Sequence, residues 1–593
     1  MKFLSRLLIP AVLGCCVLFA DPARGEIKAD FEMFHDPLFD RPITSSYYSA
    51  RLAKLWIEAL ERSEVDMQRL SAESMAKGVK LGVKGLEPAI PRLRELLLGE
   101  STHTAVRVAA ARALVAFDDR ESASALATVA GKFSGDVRQL CETALGDWKF
   151  EPIRGEWRDR LTRTGVRHRE LVVAIRGLGL AGDPQSAPRL LELTHSPLQP
   201  AEIRIESALA AGRLQTTGLA TDAQKLIDAK TGTLLINRIC AARVLAKHQA
   251  ADAQAQLLKL AIDQEPAVAG EALRLLNEID SRLVLPLAGE AMKSPDGLVR
   301  RQGMLAYVKL PTVERIPAIV AMLDDLLPSV RGEAREAVHE LLMQESLRPT
   351  IWVEVLAMLA QPSWRGEEQA ALLVGANQHQ PAAKRLLEMQ SIGRGEARVA
   401  AAWALRKVAV PETCPAIFLR AQQLTKQRNG GPRLESIDEQ CAHLMEALAV
   451  MKFWEAEALW REYVPKNLQM GSCSRGASIW ALGLRFEEQH QPELAQQLVE
   501  RLTDNAPLPP EMPYVRYSSA IALGRMKAKE QVRQMLDWVG EENLKSGHVS
   551  SEPALAIRWA MTQITGEVYP DLKPILRGKQ GWFLESTIAE DLK

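Results

Sequence analysis

The chain repeats one helical pattern of hydrophobic and polar positions. The octapeptide RVAAARAL at 107–114 returns as RVAAAWAL at 398–405 with a single substitution. Counted from the first Arg, the small residue at offset +3, the Ala at +6 and the large apolar residue at +7 fall on one face of a helix. The pattern predicts an amphipathic helix that packs through small side chains, and its return indicates an internal repeat.

Fourteen segments fit this register. Their first residue, which we call the anchor, is Arg in eleven segments, and three consecutive anchor spacings are 31 residues long. A second apolar segment lies between anchors and begins near a proline, as at Pro91 and Pro317. Proline suits the first turn of a helix, so each unit is predicted to be a helix, a short turn and a second helix. The anchors are Arg107, Arg138, Arg167, Arg204, Arg238, Ala269, Arg300, Arg331, Arg365, Arg398, Cys441, Arg475, Arg516 and Ala554.

The length of the chain agrees with a repeat array. A single hydrophobic core stops growing at roughly 250–300 residues, and this chain has 593. Aromatic residues make up only 5% of the chain, which favours close-packed helices over sheets. We therefore predict an all-α fold, a right-handed α–α superhelix or solenoid of about 14 or more helix pairs.

The repeat fails at its ends and at one loop, and these failures predict the domain boundaries. Residues 26–85 lack an anchor and are expected to form an N-terminal helical cap, with two helices between about 49 and 84. Residues 86–426 form the solenoid. Residues 427–433, which contain Gly-Gly-Pro, are predicted to be a loop. Residues 434–593 form a divergent solenoid and a C-terminal cap, interrupted by a proline-rich link at 505–513.

The first residues have the pattern of an export signal. Lys2 and Arg6 precede an apolar stretch over 7–20, which is shorter than a transmembrane helix. Small residues at Ala23 and Gly25 predict a signal peptide over 1–25. Cleavage after Ala20 is a second possible site.

A different processing route stays open. The stretch Val12-Leu13-Gly14-Cys15 resembles a bacterial lipobox, which would make Cys15 a lipidated N-terminus, although an apolar run follows it. No later stretch has 18 uninterrupted apolar residues, so we expect no membrane span. The expected location is periplasmic or extracellular.

The repeat units resemble HEAT repeats. The family pattern joins a proline-started first helix to a turn with Asp, followed by Val-Arg at the start of the second helix, and residues 294–300 and 136–138 match it. The resemblance covers roughly residues 85–565 and is strongest between 88 and 345. It implies an exported bacterial α-solenoid in which Asp and Arg bond between neighbouring units as a structural ladder.

Composition and motifs limit the kinds of binding site and catalytic activity that the chain is expected to have. Lys and Arg together number 74, as do Asp and Glu, so no net field favours nucleic acid. The ten histidines form no metal-ligand spacing, and no nucleophile elbow or phosphate loop occurs. The five cysteines after residue 25 are expected to be small core residues. The Arg-rich stretch 154–169 is diluted by acids and predicts a salt-bridged face. We predict no enzyme activity, no metal and no cofactor.

One row of residues points to a partner. Trp403, Trp480 and Trp559 stand at offset +5 from their anchors, where earlier units carry Arg. The HEAT resemblance implies that the second helices line a concave face, and Trp is prominent in protein-binding hot spots. These three residues are therefore the predicted partner-binding site, with packing between layers as the alternative interpretation.

These observations favour a non-catalytic protein–protein interaction scaffold or complex subunit, in the cell envelope or outside the cell. Two alternatives stay open. The first is a cofactor-handling or lyase-like enzyme, because HEAT-like repeats also occur in phycobilin lyases. The second is a structural envelope protein anchored through a lipid at Cys15. The sequence does not indicate which protein is the partner.

Overall fold

A computed structural model describes residues 27–48, 50–133, 135–230, 234–429, 435–467, 470–506 and 509–579. The predicted signal peptide and the lipobox cysteine, Cys15, lie outside these residues. The described chain is helical apart from two short strands. No described helix is both long and apolar enough to cross a membrane. The helices are α1 (Ala50–Leu60), α2 (Val65–Lys80), α3 (Ile90–Leu98), α4 (Thr104–Ala116), α5 (Ala123–Lys132), α6 (Asp136–Asp147), α7 (Arg154–Thr162), α8 (His168–Ala181), α9 (Ala187–His195), α10 (Ala201–Leu214), α11 (Ala220–Asp228), α12 (Leu234–Val244), α13 (Ala251–Leu260), α14 (Pro266–Ile279), α15 (Leu285–Ala291), α16 (Gly297–Lys309), α17 (Ile316–Ala321), α18 (Pro328–Leu341), α19 (Arg348–Ala360), α20 (Trp364–Ala376), α21 (Ala383–Glu388), α22 (Gly395–Val408), α23 (Cys414–Asn429), α24 (Glu435–Val450), α25 (Glu457–Arg461), α26 (Ser472–Arg485), α27 (Pro492–Thr503), α28 (Pro513–Arg525), α29 (Val532–Val539), α30 (Glu541–Ser546) and α31 (Glu552–Thr565).

The chain divides into two compact units. Unit 1 comprises residues 1–38 and 323–535, and unit 2 comprises residues 39–322 and 536–593. In this division residues 27–38 belong with the later repeats, whereas the prediction placed them in the N-terminal cap.

Unit 2 contains the first repeats. The second helices from α4 to α16 pack on one another in chain order, and each also packs on the first helix that precedes it. The predicted pair of cap helices is present as α1 and α2. Strand β1 (Thr44–Tyr48) pairs in parallel with β2 (Ile575–Lys579). The pairing joins residues more than 500 positions apart, so a search for local periodicity could not predict it.

Unit 1 has the same plan. Helices α20, α22, α24, α26 and α28 pack in chain order, and each is covered by its own first helix. Small residues allow these backbones to approach closely. A Cβ on Gly375 would lie 3.0 Å from Ala404 Cα, and one on Gly483 would lie 2.8 Å from Ala522 Cα. Both alanines stand at offset +6, so the repeated Ala is a requirement of close helix contact.

All fourteen anchors lie in a second helix or next to its first residue. Thirteen are inside the helix, and Arg167 immediately precedes α8. The predicted all-α array of HEAT-like helix pairs is therefore confirmed by the order and packing of the helices.

The anchor arginines bond mainly to main-chain carbonyls. Arg107 Nε donates to the Leu97 carbonyl at 3.1 Å, and Arg300 Nη1 donates to the Ser294 carbonyl at 2.9 Å. The last carbonyls of a helix have no partner inside it, so the Arg107 guanidinium caps the preceding first helix, whereas Arg300 bonds to the turn that follows one. The row is structural, as the resemblance implied, but most of its acceptors are carbonyls rather than Asp. The same type of bond occurs at Arg138, Arg204, Arg331, Arg398 and Arg475.

Part of the predicted loop at 427–433 is helical. Residues 427–429 form the last turn of α23, and residues 430–434 lie outside the described part of the chain. Arg428 is buried and donates to Asp438 and Ser474 at 2.7 Å each, which holds this turn in helical form. The described residues of the proline-rich link are coil, and α28 begins at Pro513.

Candidate functional site

Residues 27–38 of unit 1 bind to the later second helices of the same unit. We call them the N-terminal segment. The segment is non-helical except for one 3₁₀ turn over Glu32–Phe34. Its side chains and main chain contact residues of α22, α24, α26 and α28, which we call the segment groove. The groove residues with these contacts are Trp403, Arg406, Lys407, His443, Glu446, Trp480, Tyr514, Tyr517, Ser518 and Arg525.

A carboxylate fixes the first end of the segment. Asp30 Oδ1 accepts hydrogen bonds from Trp403 Nε1 at 2.7 Å and from Arg406 Nη2 at 3.0 Å. Its Oδ2 lies 3.1 Å from His35 Nε2. Burial alone would raise the pKa of Asp30, but the Trp403 hydrogen bond and the charges of Arg406, Lys407 and His35 outweigh it and lower that pKa. Asp30 is therefore held as a carboxylate by the groove.

A buried glutamate accepts a hydrogen bond from the main chain of the segment. Glu446 Oε1 accepts from the Met33 N–H at 3.0 Å, and Oε2 accepts from Arg406 Nη1 at 2.7 Å. Burial favours the neutral acid, yet the neighbouring His443 imidazole and the Arg406 guanidinium lower the pKa of Glu446. The same arginine thus joins this glutamate to Asp30 of the segment.

Aromatic contacts flank this glutamate. Phe31 stacks on His443, with ring centroids 4.5 Å apart and an interplanar angle of 19°. Phe34 meets the edges of Tyr514 and Tyr517 at 5.0 and 5.6 Å. Burial lowers the pKa of His443, so the ring that stacks on Phe31 is the neutral imidazole near pH 7.

Met33 fills a specific space between helices. It has no solvent exposure, and its sulfur lies 3.7 Å from Ser518 Oγ. A Cβ on Gly476 would lie 3.1 Å from that sulfur, so the groove makes room for the Met side chain where α26 carries glycine.

A second carboxylate fixes the far end. The Asp36 carbonyl accepts from Trp480 Nε1 at 2.7 Å, and Asp36 Oδ2 accepts from Arg525 Nη2 at 2.6 Å. The Arg525 guanidinium also lies 5.7 Å from the centre of the Trp480 ring. An indole N–H and a buried guanidinium therefore act together at each end of the segment.

Two of the three predicted tryptophans line this groove. Trp403 and Trp480 are almost fully buried, at 3% and 1% exposure, and both indoles donate to the N-terminal segment. Trp559 is half-buried on α31 and belongs to unit 2. Whether the tryptophans bind a partner stays a prediction. Glu446 was not predicted, although it too stands at offset +5, because the prediction at that offset rested on the recurrence of Trp and Arg.

One cavity adjoins the groove, and a second lies next to the first. A cavity of about 260 Å³ lies beside Ile27 and Lys28 and is also lined by Trp403 and Gln378. A second, of about 410 Å³, shares Gln378 and is lined by Trp352 and His379, among other residues. These last two rings stack with centroids 3.8 Å apart. The described residues of the segment therefore leave open space beside Trp403.

The same register in unit 2 carries ion pairs. Arg243 Nε lies 3.2 Å from Glu271, and Arg112 Nη1 lies 3.7 Å from Glu73. The Arg-rich stretch is also paired, with Arg160 Nη1 2.6 Å from Glu142, in agreement with the predicted salt-bridged face. At offset +5, Arg112 and Arg243 of unit 2 are therefore ion-paired, whereas Trp403, Glu446 and Trp480 of unit 1 contact the N-terminal segment.

The described residues hold no group of three or more His, Cys, Asp or Glu side chains able to bind a metal ion. The five cysteines in this part of the chain are free thiols, and four of them are buried, as expected of small core residues. Burial raises the pKa of the Cys141 thiol to about 12, as it does for Cys240. Such thiols remain protonated near neutral pH.

Comparison with known sequences finds no match, either to a protein-family profile or to a curated protein. Among solved structures, the chain is similar to Kap95p in a study of its binding to RanGDP, with 13% identity over 87% of this chain and 72% of that chain and a TM-score of 0.49. Yeast importin-β (Kap95p) gives the same identity and coverages with a TM-score of 0.46. The karyopherin Kap121p bound to the extreme C-terminus of the protein phosphatase Cdc14p is 11% identical over 86% of this chain and 71% of that chain, with a TM-score of 0.34. These likenesses carry no information about what this chain binds.

Proposed function

We propose that this protein is a non-catalytic interaction scaffold that binds a protein partner through the segment groove of unit 1. The observation that supports the proposal is that the groove already holds a peptide, the chain's own N-terminal segment. Trp and Arg, the residue types that dominate binding hot spots, make the polar contacts at both of its ends through Trp403, Arg406, Trp480 and Arg525.

We also propose that the protein is exported to the periplasm or the medium, on the basis of the leader over residues 1–25. Mass spectrometry of the chain purified from its native envelope tests this proposal. A mature N-terminus at Glu26 supports export by a cleaved signal peptide. A lipidated Cys15 would instead support the lipid anchor, and an intact Met1 would contradict both.

Capture from an envelope extract tests the scaffold function. A partner that uses the groove must displace the segment, so weakening the segment should increase capture. The variant Asp30→Asn/Met33→Ala/Asp36→Asn, which we call the release variant, removes both carboxylates and the buried side chain without touching the groove.

Adding Trp403→Phe and Trp480→Phe to the release variant should then reduce capture. Each change removes one N–H donor while keeping an aromatic ring, and a hydrogen bond of this kind contributes about 0.5–1.5 kcal/mol. The two together predict a loss of roughly 5- to 150-fold in affinity. Trp148→Phe, in unit 2, is the matched control. Equal capture by all variants would contradict binding through the groove.

A further inference from the structure

The contacts of the N-terminal segment define what the segment groove recognises. We infer that the partner presents a segment of the same chemistry: two carboxylates six positions apart, with aromatic and thioether or similar apolar side chains between them. This inference rests on the proposed function, and it names the class of ligand that such a scaffold would take. The N-terminal segment occupies the groove until the partner segment displaces it.

The charges of the groove select acidic ligands. Arg406 and Arg525 are buried, and each pairs with a different carboxylate of the segment. Lys407 adds a third cation, 3.5 Å from Glu32. A ligand without a carboxylate at the position of Asp36 would remove the ion pair that Arg525 makes here. Losing that pair is costly because the Arg525 charge is buried. A basic ligand would therefore be excluded by the same groups that hold Asp30 and Asp36.

The spacing of the groove residues sets the register of the ligand. Trp403 and Trp480 lie on α22 and α26, two second helices apart, and they bond to Asp30 and Asp36. Glu446, on the helix between them, accepts the main-chain N–H of Met33, midway along the segment. Since the three groove residues share offset +5, the spacing of the repeats sets the spacing of the bonded positions along the ligand.

The bound segment does not use all of the available surface. The carboxylate side chains of Asp30 and Asp36 are still 39% and 41% exposed. The cavity of about 260 Å³ is lined by Ile27 of the segment and Trp403 of the groove, and it shares Gln378 with the cavity that contains Trp352. A partner segment whose side chains enter this cavity or cover these carboxylates gains contacts there, and these favour displacement.

Displacement must overcome tethering. A tethered ligand competes at an effective concentration of the order of millimolar, so the free groove is a minor state. The apparent dissociation constant of a ligand in trans equals its intrinsic value divided by the fraction of free groove. Loosening the segment should therefore strengthen binding in trans without any change in the groove.

A synthetic peptide with the sequence of residues 27–40, labelled with a fluorophore, tests the inference by fluorescence polarisation. The full-length release variant should bind this probe at least about tenfold more tightly than the unaltered chain does. A scrambled peptide of the same composition, and a probe with Asp30→Asn and Asp36→Asn, should bind at least about tenfold more weakly than the native probe. Equal binding of all three peptides to the release variant would overturn the inference.

The two proposals fail in distinguishable ways. Groove-dependent capture of a partner without specific binding of the probe would contradict the acidic–aromatic pattern and leave the scaffold function in place. Specific probe binding without groove-dependent capture would contradict the scaffold function and leave the acidic–aromatic pattern in place.

Should the release variant not fold, a protease site between Leu38 and Ile43, which are 86% and 75% exposed, allows the link to be cut after folding. The freed segment should then exchange with labelled probe while the circular dichroism of the helices is retained. A segment that leaves only when the helices unfold would overturn the inference, because it would be part of the core rather than a ligand.

Discussion

The replacement Met33→Ala is the sharpest probe of how strongly the N-terminal segment is bound. Met33 is fully buried, and its N–H donates to Glu446 at 3.0 Å, so both its side chain and its main chain report on docking. Truncation of a buried Met to Ala costs about 2–5 kcal/mol, from the lost apolar transfer and the cavity that remains. If the segment opens separately from the helices, its docking constant should fall by roughly 30- to 5,000-fold.

Hydrogen exchange measures this change directly. In the unaltered chain the amides of residues 33–36, which all donate hydrogen bonds, should be protected, and in Met33→Ala they should exchange faster by the same factor as the docking constant falls. The helices α22 to α28 should keep their protection. Leu38→Ala is the control, because Leu38 is 86% exposed and should leave the exchange rates unchanged.

Two results would refute this reasoning. Unchanged exchange of the segment in Met33→Ala would mean that the methionine does not hold it in the groove. Equal acceleration in the segment and in all helices of unit 1 would mean that the segment unfolds together with the repeats, and is not an independently released ligand.

Three further predictions concern pH and the repeat packing. Because the groove lowers the pKa of Asp30, its contribution to docking is complete above the usual value of 3.8 and is lost as the pH falls through the lowered pKa; tryptophan fluorescence should show this transition, and a curve unaltered by Asp30→Asn would contradict it. Gly483→Ala should destabilise unit 1 by about 1–3 kcal/mol in chemical denaturation, since its Cβ would meet Ala522, whereas Gly332→Ala, with nothing within 4 Å, should be neutral or stabilising; the reverse order would refute the close-contact role of small residues. Arg300→Met should cost about 1–3 kcal/mol of stability because it leaves the Ser294 carbonyl without its donor, and Arg282→Met, at an exposed site, should cost little; equal losses would show that the anchor does not stabilise the turn before its helix.

The repeat itself could be predicted from the sequence because its determinants are local. The anchor, the Ala at +6 and the apolar residue at +7 recur within one helix, and all fourteen anchors mark a second helix. The tryptophans at +5 stood out because a large aromatic residue recurs at one offset of the register, where three earlier units carry Arg. Two of them, Trp403 and Trp480, contact the same segment.

What could not be predicted are the pairings between distant parts of the chain. Asp30 and Arg406 are far apart in sequence, and neither belongs to a motif that would identify the other. The parallel pairing of β1 with β2 has the same character. The irregular stretch before residue 49 looked like part of a cap, since its Phe, Met and Asp residues have no helical period. Their fit to the groove is visible only when the helices are in place.

Photo-crosslinking from position 34 tests most directly whether the segment groove is where residues 27–38 bind. Phe34 lies 5.0 Å from Tyr514 and 5.6 Å from Tyr517, so benzoylphenylalanine at this position should crosslink to the 513–525 helix of the same chain. Mixing isotopically light and heavy chains distinguishes crosslinks within a chain from those between chains. Crosslinks to the 513–525 helix within one chain are the predicted result. Crosslinks to unit 2, or between chains, would contradict the account.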